Sequence, residues 1–97
     1  MDGAVGTGDR PDDPVLRAFV RGGRVVAMPA KQAKRLVVLD YCAQVFEPGV
    51  RYPEAEVNAR LGALYDDYVT LRRYLVDYGL MAREDGIYWR SGGSVAL

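Results

Sequence analysis

The feature that most constrains the fold is the Asp85-Gly86 pair near the end of the chain. An Asp-Gly pair between two short runs of strand-forming residues indicates a β-hairpin. The two-residue turn of such a hairpin needs a positive φ at both positions, which Asp and Gly tolerate. Tyr88 and Trp89 alternate on the second run, so one of the two side chains is expected to face the core. A hairpin is therefore predicted near the end of the sequence. The elements that it packs against must come from the preceding residues.

Three longer helices are predicted ahead of the hairpin. Residues 30–46 and the stretch after Pro53 each place apolar side chains at spacings of three and four, which indicates amphipathic helices. A third helix is predicted over roughly 66–78, with aspartates at its positive end and Gly79 as its stop. The side chains expected to face the core are Ala33, Leu36, Leu39, Ala43 and Phe46; Val57, Leu61 and Leu64; and Tyr68, Leu71, Leu75 and Tyr78.

Shorter elements are predicted around these helices. Asp13 followed by Pro14 is typical of a helix start, and this short first helix ends at the Arg-Gly-Gly sequence. Residues 24–29 are a β-branched run bounded by glycine and proline, which predicts one strand. Residues 50–52 are expected to form a brief strand between the first two long helices.

The order of these elements predicts an α+β, mainly helical fold: a winged helix-turn-helix with an extra N-terminal helix and strand and a C-terminal hairpin as the wing. In that plan the third long helix packs across the second and the hairpin flanks it. Residues 1–13 are predicted to be a flexible acidic, glycine-rich tail, residues 14–90 the domain, and residues 91–97 a loose C-terminal tail. The 97 residues suffice for one core.

The composition argues against several classes of function. The chain has no histidine and one cysteine, Cys42, which excludes an intramolecular disulfide, a histidine-based triad and a cysteine-built or histidine-ligated metal site. The chain is therefore predicted not to be an enzyme, with no catalytic residue, metal or cofactor. Since there is neither an apolar run near the roughly 20 residues of a membrane span nor a signal-like segment, a cytoplasmic location without membrane contact is expected.

The candidate binding residues lie mainly on the third long helix and the hairpin. With its core-facing side chains turned inward, this helix points Arg73 outward, where an arginine can contact guanine with two hydrogen bonds. The residues predicted to bind double-stranded DNA are Thr70, Arg72 and Arg73 on the helix, Arg83 and Arg90 on the wing, and Lys31, Lys34 and Arg35 at the start of the first long helix. A homodimer would let such a domain contact two half-sites.

Other features leave alternatives open. The formal net charge is zero, and four aspartates and one arginine in residues 1–13 leave the rest only mildly basic. Asp66 and Asp77 share the outer face and would repel phosphate. Exposed valines beside an arginine are more typical of a protein contact, so the alternative is a protein-interaction or dimerisation module on the same scaffold. Its contact residues would be Val69, Arg73 and Val76. The helix arginines could also have no binding role, with their side chains solvated and paired with nearby aspartates.

The chain resembles a bacterial domain family of unknown function, often found C-terminal to ArsR-type helix-turn-helix regulators and also standing alone. The likeness covers roughly 16–93 and is carried, in order, by GRVVAMPAKQAKRLVVLDY, FEPGVRYPEAEVN and DDYVTLRRYLVDYGLMAREDGIYWR. It implies a bacterial cytoplasmic protein associated with transcription regulation, and it implies no catalytic residue or cofactor. The last stretch is also similar to the recognition helix and wing of bacterial winged-helix repressors. That likeness implies that Thr70, Arg72 and Arg73 face DNA, with Arg83 and Arg90 on the wing.

Overall fold

The computed structural model describes residues 13–94, which form an α+β fold with four helices and two antiparallel sheets. The elements in chain order are α1 (Pro14–Phe19), β1 (Val20–Arg21), β2 (Arg24–Val25), α2 (Gln32–Ala43), β3 (Arg51–Pro53), α3 (Glu54–Gly62), α4 (Tyr68–Asp77), β4 (Met81–Glu84) and β5 (Ile87–Arg90). The predicted α+β class is confirmed. The tail predicted over 1–13 lies outside the described residues, apart from Asp13.

The first helix and the first sheet form one local unit. Asp13 caps α1 by accepting a backbone hydrogen bond of 2.8 Å, and Pro14 takes the first helical position, where a missing N–H leaves no bond unmade. β1 then pairs with β2, with Val20 opposite Val25, across a turn of two glycines that both adopt positive φ. The strand predicted over 24–29 is therefore shorter than expected and has a partner that was not predicted.

Helix α2 buries the later part of the predicted face but not its first turn. Val38 and Cys42 are fully buried together with Leu39 and Ala43, whereas Leu36 is exposed. Both α1 and α4 pack against α2, and the buried face keeps Leu39 and Ala43 from the predicted set and adds Val38 and Cys42. The helix also ends earlier than expected.

The hairpin forms the predicted turn. Asp85 and Gly86 have φ values of 54° and 78°, which fits the two positive values that the two-residue turn requires. β5 lies between β4 and β3, so the brief strand predicted before α3 is confirmed as an edge of this second sheet. Tyr88 faces the core, whereas Trp89 lies on the opposite face with the guanidinium carbon of Arg51 4.6 Å from its ring centre.

The last two helices follow the predicted order. α4 packs against α3 and α2, buries Leu71 and Leu75, and is followed by Gly79 with a positive φ of 77°. Tyr68 is exposed and Tyr78 is only partly buried, so the predicted inner face is correct at its centre and not at its ends. Within residues 13–94, no helix combines the length and the apolar character needed to cross a membrane.

Residues 91–94, the first part of the segment predicted to be a loose tail, are held against α2. The backbone N–H and the hydroxyl of Ser94 each donate to the carboxylate of Asp40 at 2.7 Å. Residues 95–97 lie outside the described part of the chain.

Candidate functional site

A groove of about 310 Å³ runs between α4 and the β4–β5 hairpin. It is lined by Val69, Arg72, Arg73, Val76, Asp77, Arg83 and Tyr88. The groove therefore brings together members of both predicted sets: three of the arginines expected to bind DNA, and both valines expected to contact a protein.

The middle of the groove pairs a cation with a branched apolar side chain. Arg73 is exposed and follows Val69 by one helical turn, a spacing that places the two side chains next to each other on the helix surface. Val69 is 44% exposed, so its side chain adds apolar surface beside the guanidinium of Arg73. Asp77 lies one further turn along the same wall.

Arg72 is held by the preceding helix. Its side chain is only 19% exposed, its guanidinium donates to the amide oxygen of Asn58, and it lies 3.8 Å from a carboxylate oxygen of Glu54. These contacts with α3 are made by Nη1 of the guanidinium. Arg72 therefore positions α4 against α3.

Tyr88 connects the hairpin to α3. Its hydroxyl donates to Glu54 at 3.0 Å and accepts a longer bond of 3.4 Å from Arg83. The hydrogen bond with Tyr88 is the largest cause of the raised pKa of Arg83. The two bonds hold the cation of the hairpin on the wall of the groove opposite α4.

Both aspartates at the start of α4 are engaged within the protein. Asp66 forms an ion pair with Arg24, whose guanidinium also donates to the carbonyl of Ala63 at 2.8 Å. Asp67 caps the helix by accepting the N–H of Thr70 at 3.2 Å and its hydroxyl at 2.7 Å. The hydroxyl bond is the main cause of the lowered pKa of Asp67. Thr70 is thus a partner in the helix cap and is not among the residues that line the groove.

Arg90, which was predicted to bind DNA from the wing, is instead a buried structural residue. It is 8% exposed, and its Nη1 donates to the carbonyls of Ala43 and Phe46, both at 2.9 Å. These carbonyls lie at and just beyond the C-terminal end of α2, where helical carbonyls lack a partner within the helix. The other guanidinium nitrogens donate to the carbonyls of Gly92 at 2.9 Å and Ser94 at 2.7 Å.

The three cations at the start of α2 do not act as one cluster. Arg35 donates to two carbonyls of the preceding loop and, at 3.0 Å, to the hydroxyl of Tyr78, and it lies 4.9 Å from the ring centre of Tyr74. Arg35 therefore ties α2 to α4. Lys31 and Lys34 are exposed, but neither lines the groove.

Sequence reasoning did not identify the supporting contacts made by α3. Glu54 and Asn58 lie one turn apart and bind groups from two different elements, the arginine of α4 and the tyrosine of β5. Their helical spacing is visible in the sequence, but their partners are not. Among residues 13–94, no group of three or more histidine, cysteine or acidic side chains is placed to hold a metal ion.

The fold and the groove define a small α+β domain whose candidate binding surface lies between a helix and a β-hairpin. Residues 24–90 match the model of a family described as an uncharacterized protein conserved in bacteria (DUF2087). The match covers more than half of the chain, which therefore belongs to this family, and it includes every residue that lines the groove. Comparisons with curated proteins and with solved structures found no match.

Proposed function

We propose that this chain is a DNA-binding domain of the winged helix-turn-helix type that acts in transcription regulation, with α4 as the recognition helix and the β4–β5 hairpin as the wing. The order α2, β3, α3, α4, β4, β5 supports the proposal, as does a sheet in which β5 pairs with both β3 and β4. Domains of this type place the later helix in the major groove and use dimerisation to contact two half-sites. The resemblance to domains found beside ArsR-type regulators supports the same role.

The observation that carries the proposal is that two exposed arginines from different elements open onto one groove. Arg73 comes from the outer face of α4 and Arg83 from the hairpin. An arginine on a recognition helix can donate two hydrogen bonds to guanine, and one on a wing can neutralise a phosphate. The pair thus supplies both a base contact and a backbone contact.

The acidic residues near α4 repel DNA phosphates less than their number implies. Asp66 is paired with Arg24 and Asp67 is used in the helix cap. Asp77 does line the groove, but it lies at the C-terminal end of α4. The N-terminal part of a recognition helix makes most contacts to base edges, so this carboxylate is on the less critical side.

The test is selection of duplexes from a random library, followed by affinity measurements across a salt series. The wild-type chain should bind the selected duplex saturably and more weakly as salt rises. Arg73→Ala should lower affinity for that duplex on the order of 10-fold to 100-fold, the loss expected for one two-bond contact to guanine.

The matched control is Arg21→Ala, which removes the same charge from an exposed position on β1 that does not line the groove. It should change affinity by much less. If no duplex is enriched and no binding is detected at low salt, the DNA-binding proposal is wrong.

A protein-interaction or dimerisation module is the second candidate, because Val69 and the half-buried Val76 add apolar surface to the same groove. For a homodimer formed through this surface, Val69→Asp should abolish self-association in sedimentation equilibrium without changing the circular dichroism spectrum. An unchanged association constant in the variant would exclude the groove as the dimer interface.

A further inference from the structure

We propose that Val69 and Arg73 act together to select a guanine with a thymine close to it in the major groove. This inference rests on the DNA-binding role proposed above and specifies the bases that the site prefers. It also gives the exposed valine a role in DNA binding, whereas valines beside an arginine are otherwise more typical of a protein contact.

Only one arginine of the groove combines exposure with a place on the helix. Arg72 is bound to Asn58 and lies close to Glu54, and Arg83 belongs to the hairpin. Arg73 is therefore the exposed arginine of α4 that is placed to donate to the N7 and O6 atoms of a guanine. The proposed site selects one guanine per domain.

Val69 provides the second contact. The only apolar group that a base presents in the major groove of unmodified DNA is the 5-methyl group of thymine, and apolar side chains pack against it. Val69 is 44% exposed and lines the same groove. Its two methyl groups are thus available to a thymine methyl.

The helical spacing sets the distance between the two bases. Side chains four residues apart have Cβ atoms about 5–6 Å from each other. Successive nucleotides of one strand are about 3.4 Å apart along the duplex axis, so the two contacts fall one or two base steps from each other. A thymine much farther from the guanine would be beyond the reach of Val69, because a valine side chain is short.

The experiment uses base analogues that remove single groups from the selected duplex. Each thymine is replaced in turn by deoxyuridine, which lacks only the 5-methyl group, and each guanine by 7-deazaguanine, which lacks the N7 acceptor. Affinities are measured for the wild-type chain and for Val69→Ala. Val26→Ala is the matched control, since Val26 is 55% exposed and is not among the residues lining the groove.

The critical guanine is the one whose replacement by 7-deazaguanine weakens binding. Replacing one thymine within two base steps of it should lower the affinity of the wild-type chain for the duplex about fourfold, the factor that corresponds to about 0.8 kcal/mol for one buried methyl group. Val69→Ala should bind the parent duplex with a similar loss and show no further loss with deoxyuridine at that position. Val26→Ala should keep the wild-type sensitivity to deoxyuridine.

The two proposals fail in different ways. If the library yields no selected duplex, the proposal of DNA binding is wrong, and so is the proposed selection of guanine and thymine. If a duplex is selected and Arg73→Ala weakens binding, but every deoxyuridine duplex binds the wild-type chain as tightly as the parent, only the role of Val69 is wrong. The role of Val69 would also be wrong if deoxyuridine replacement lowered the affinity of Val69→Ala as much as it lowers that of the wild-type chain.

Discussion

Replacing Arg90 by alanine should destabilise the whole domain, although the residue is the last one of β5 in the hairpin. Its guanidinium makes four hydrogen bonds to backbone carbonyls. Two of them fix the C-terminal end of α2, and the other two hold residues 92–94 against the end of the sheet. Arg90→Ala removes the charged donor from both of the first two carbonyls, and the Ala43 carbonyl then keeps only the backbone N–H of Phe46, at 3.1 Å.

The size of the effect follows from those two buried bonds. A hydrogen bond that involves a charged group contributes about 1.5–3 kcal/mol, and bonds made by one side chain do not add fully. The contacts to Ala43 and Phe46 are buried, whereas those to the C-terminal residues are only partly so. Counting the buried pair alone gives a loss of roughly 3–5 kcal/mol, a large part of the 5–15 kcal/mol typical of a whole domain.

The assay is urea unfolding at neutral pH, followed by the fluorescence of the single tryptophan and by circular dichroism. Arg90→Lys should restore only part of the stability, because an ammonium group cannot reproduce the planar fork of the guanidinium. Arg83→Ala, an exposed arginine of the same hairpin, should leave the urea midpoint almost unchanged. A loss smaller than about 1 kcal/mol in Arg90→Ala would refute the structural role, since that is below the value of one such bond.

Two further predictions follow from pKa shifts. Burial raises the pKa of the Cys42 thiol to about 12, so a thiol reagent at mildly alkaline pH should modify it only as fast as the protein unfolds; rapid labelling of the native chain would contradict this. The pKa of Asp67 is lowered, chiefly by the hydroxyl of Thr70, so its carboxylate stabilises the fold fully above the unfolded-state pKa near 3.8 and progressively less as the pH falls through the lower folded value. The urea midpoint of the wild type should therefore fall more steeply with decreasing pH than that of Asp67→Asn below about pH 4. If the midpoints of both proteins fell in parallel, Asp67 would not contribute to the pH dependence of stability.

The parts of the fold that could be predicted from the sequence are those fixed by the local preference of one or two residues. Asp85-Gly86 determines its own turn because both residues adopt positive φ. Asp13 starts α1 through its side chain, and Gly79 follows α4 with a left-handed conformation. Each of these outcomes is decided within a few residues of the chain.

The parts that could not be predicted depend on contacts between distant segments. Arg90 binds carbonyls that lie 47 and 44 residues away in the sequence, so nothing beside it indicates that its side chain turns inward. The buried face of α2 likewise depends on where α1 and α4 pack. The position of Arg73 was easier to predict, because two buried leucines of the same helix fix the direction in which it points.

The groove could be predicted only in part. Helical spacing alone places Val69 beside Arg73, but the addition of Arg83 requires the docking of the hairpin against α3 through Tyr88 and Glu54. Helical spacing points Arg73 outward and places Arg72 on the flank of the helix, but it does not reveal that Arg72 contacts Asn58 and Glu54. Its pairing with α3 distinguishes the two arginines.

The most direct test of the proposed interface is chemical-shift mapping of the 15N-labelled chain during titration with the selected duplex. Binding through the groove predicts that the largest amide shifts occur at Val69, Arg73 and Arg83, and that they reverse as salt is added. The indole N–H of Trp89, on the opposite face of the sheet, should move little. Shifts concentrated around Trp89, with α4 unperturbed, would contradict binding through the groove.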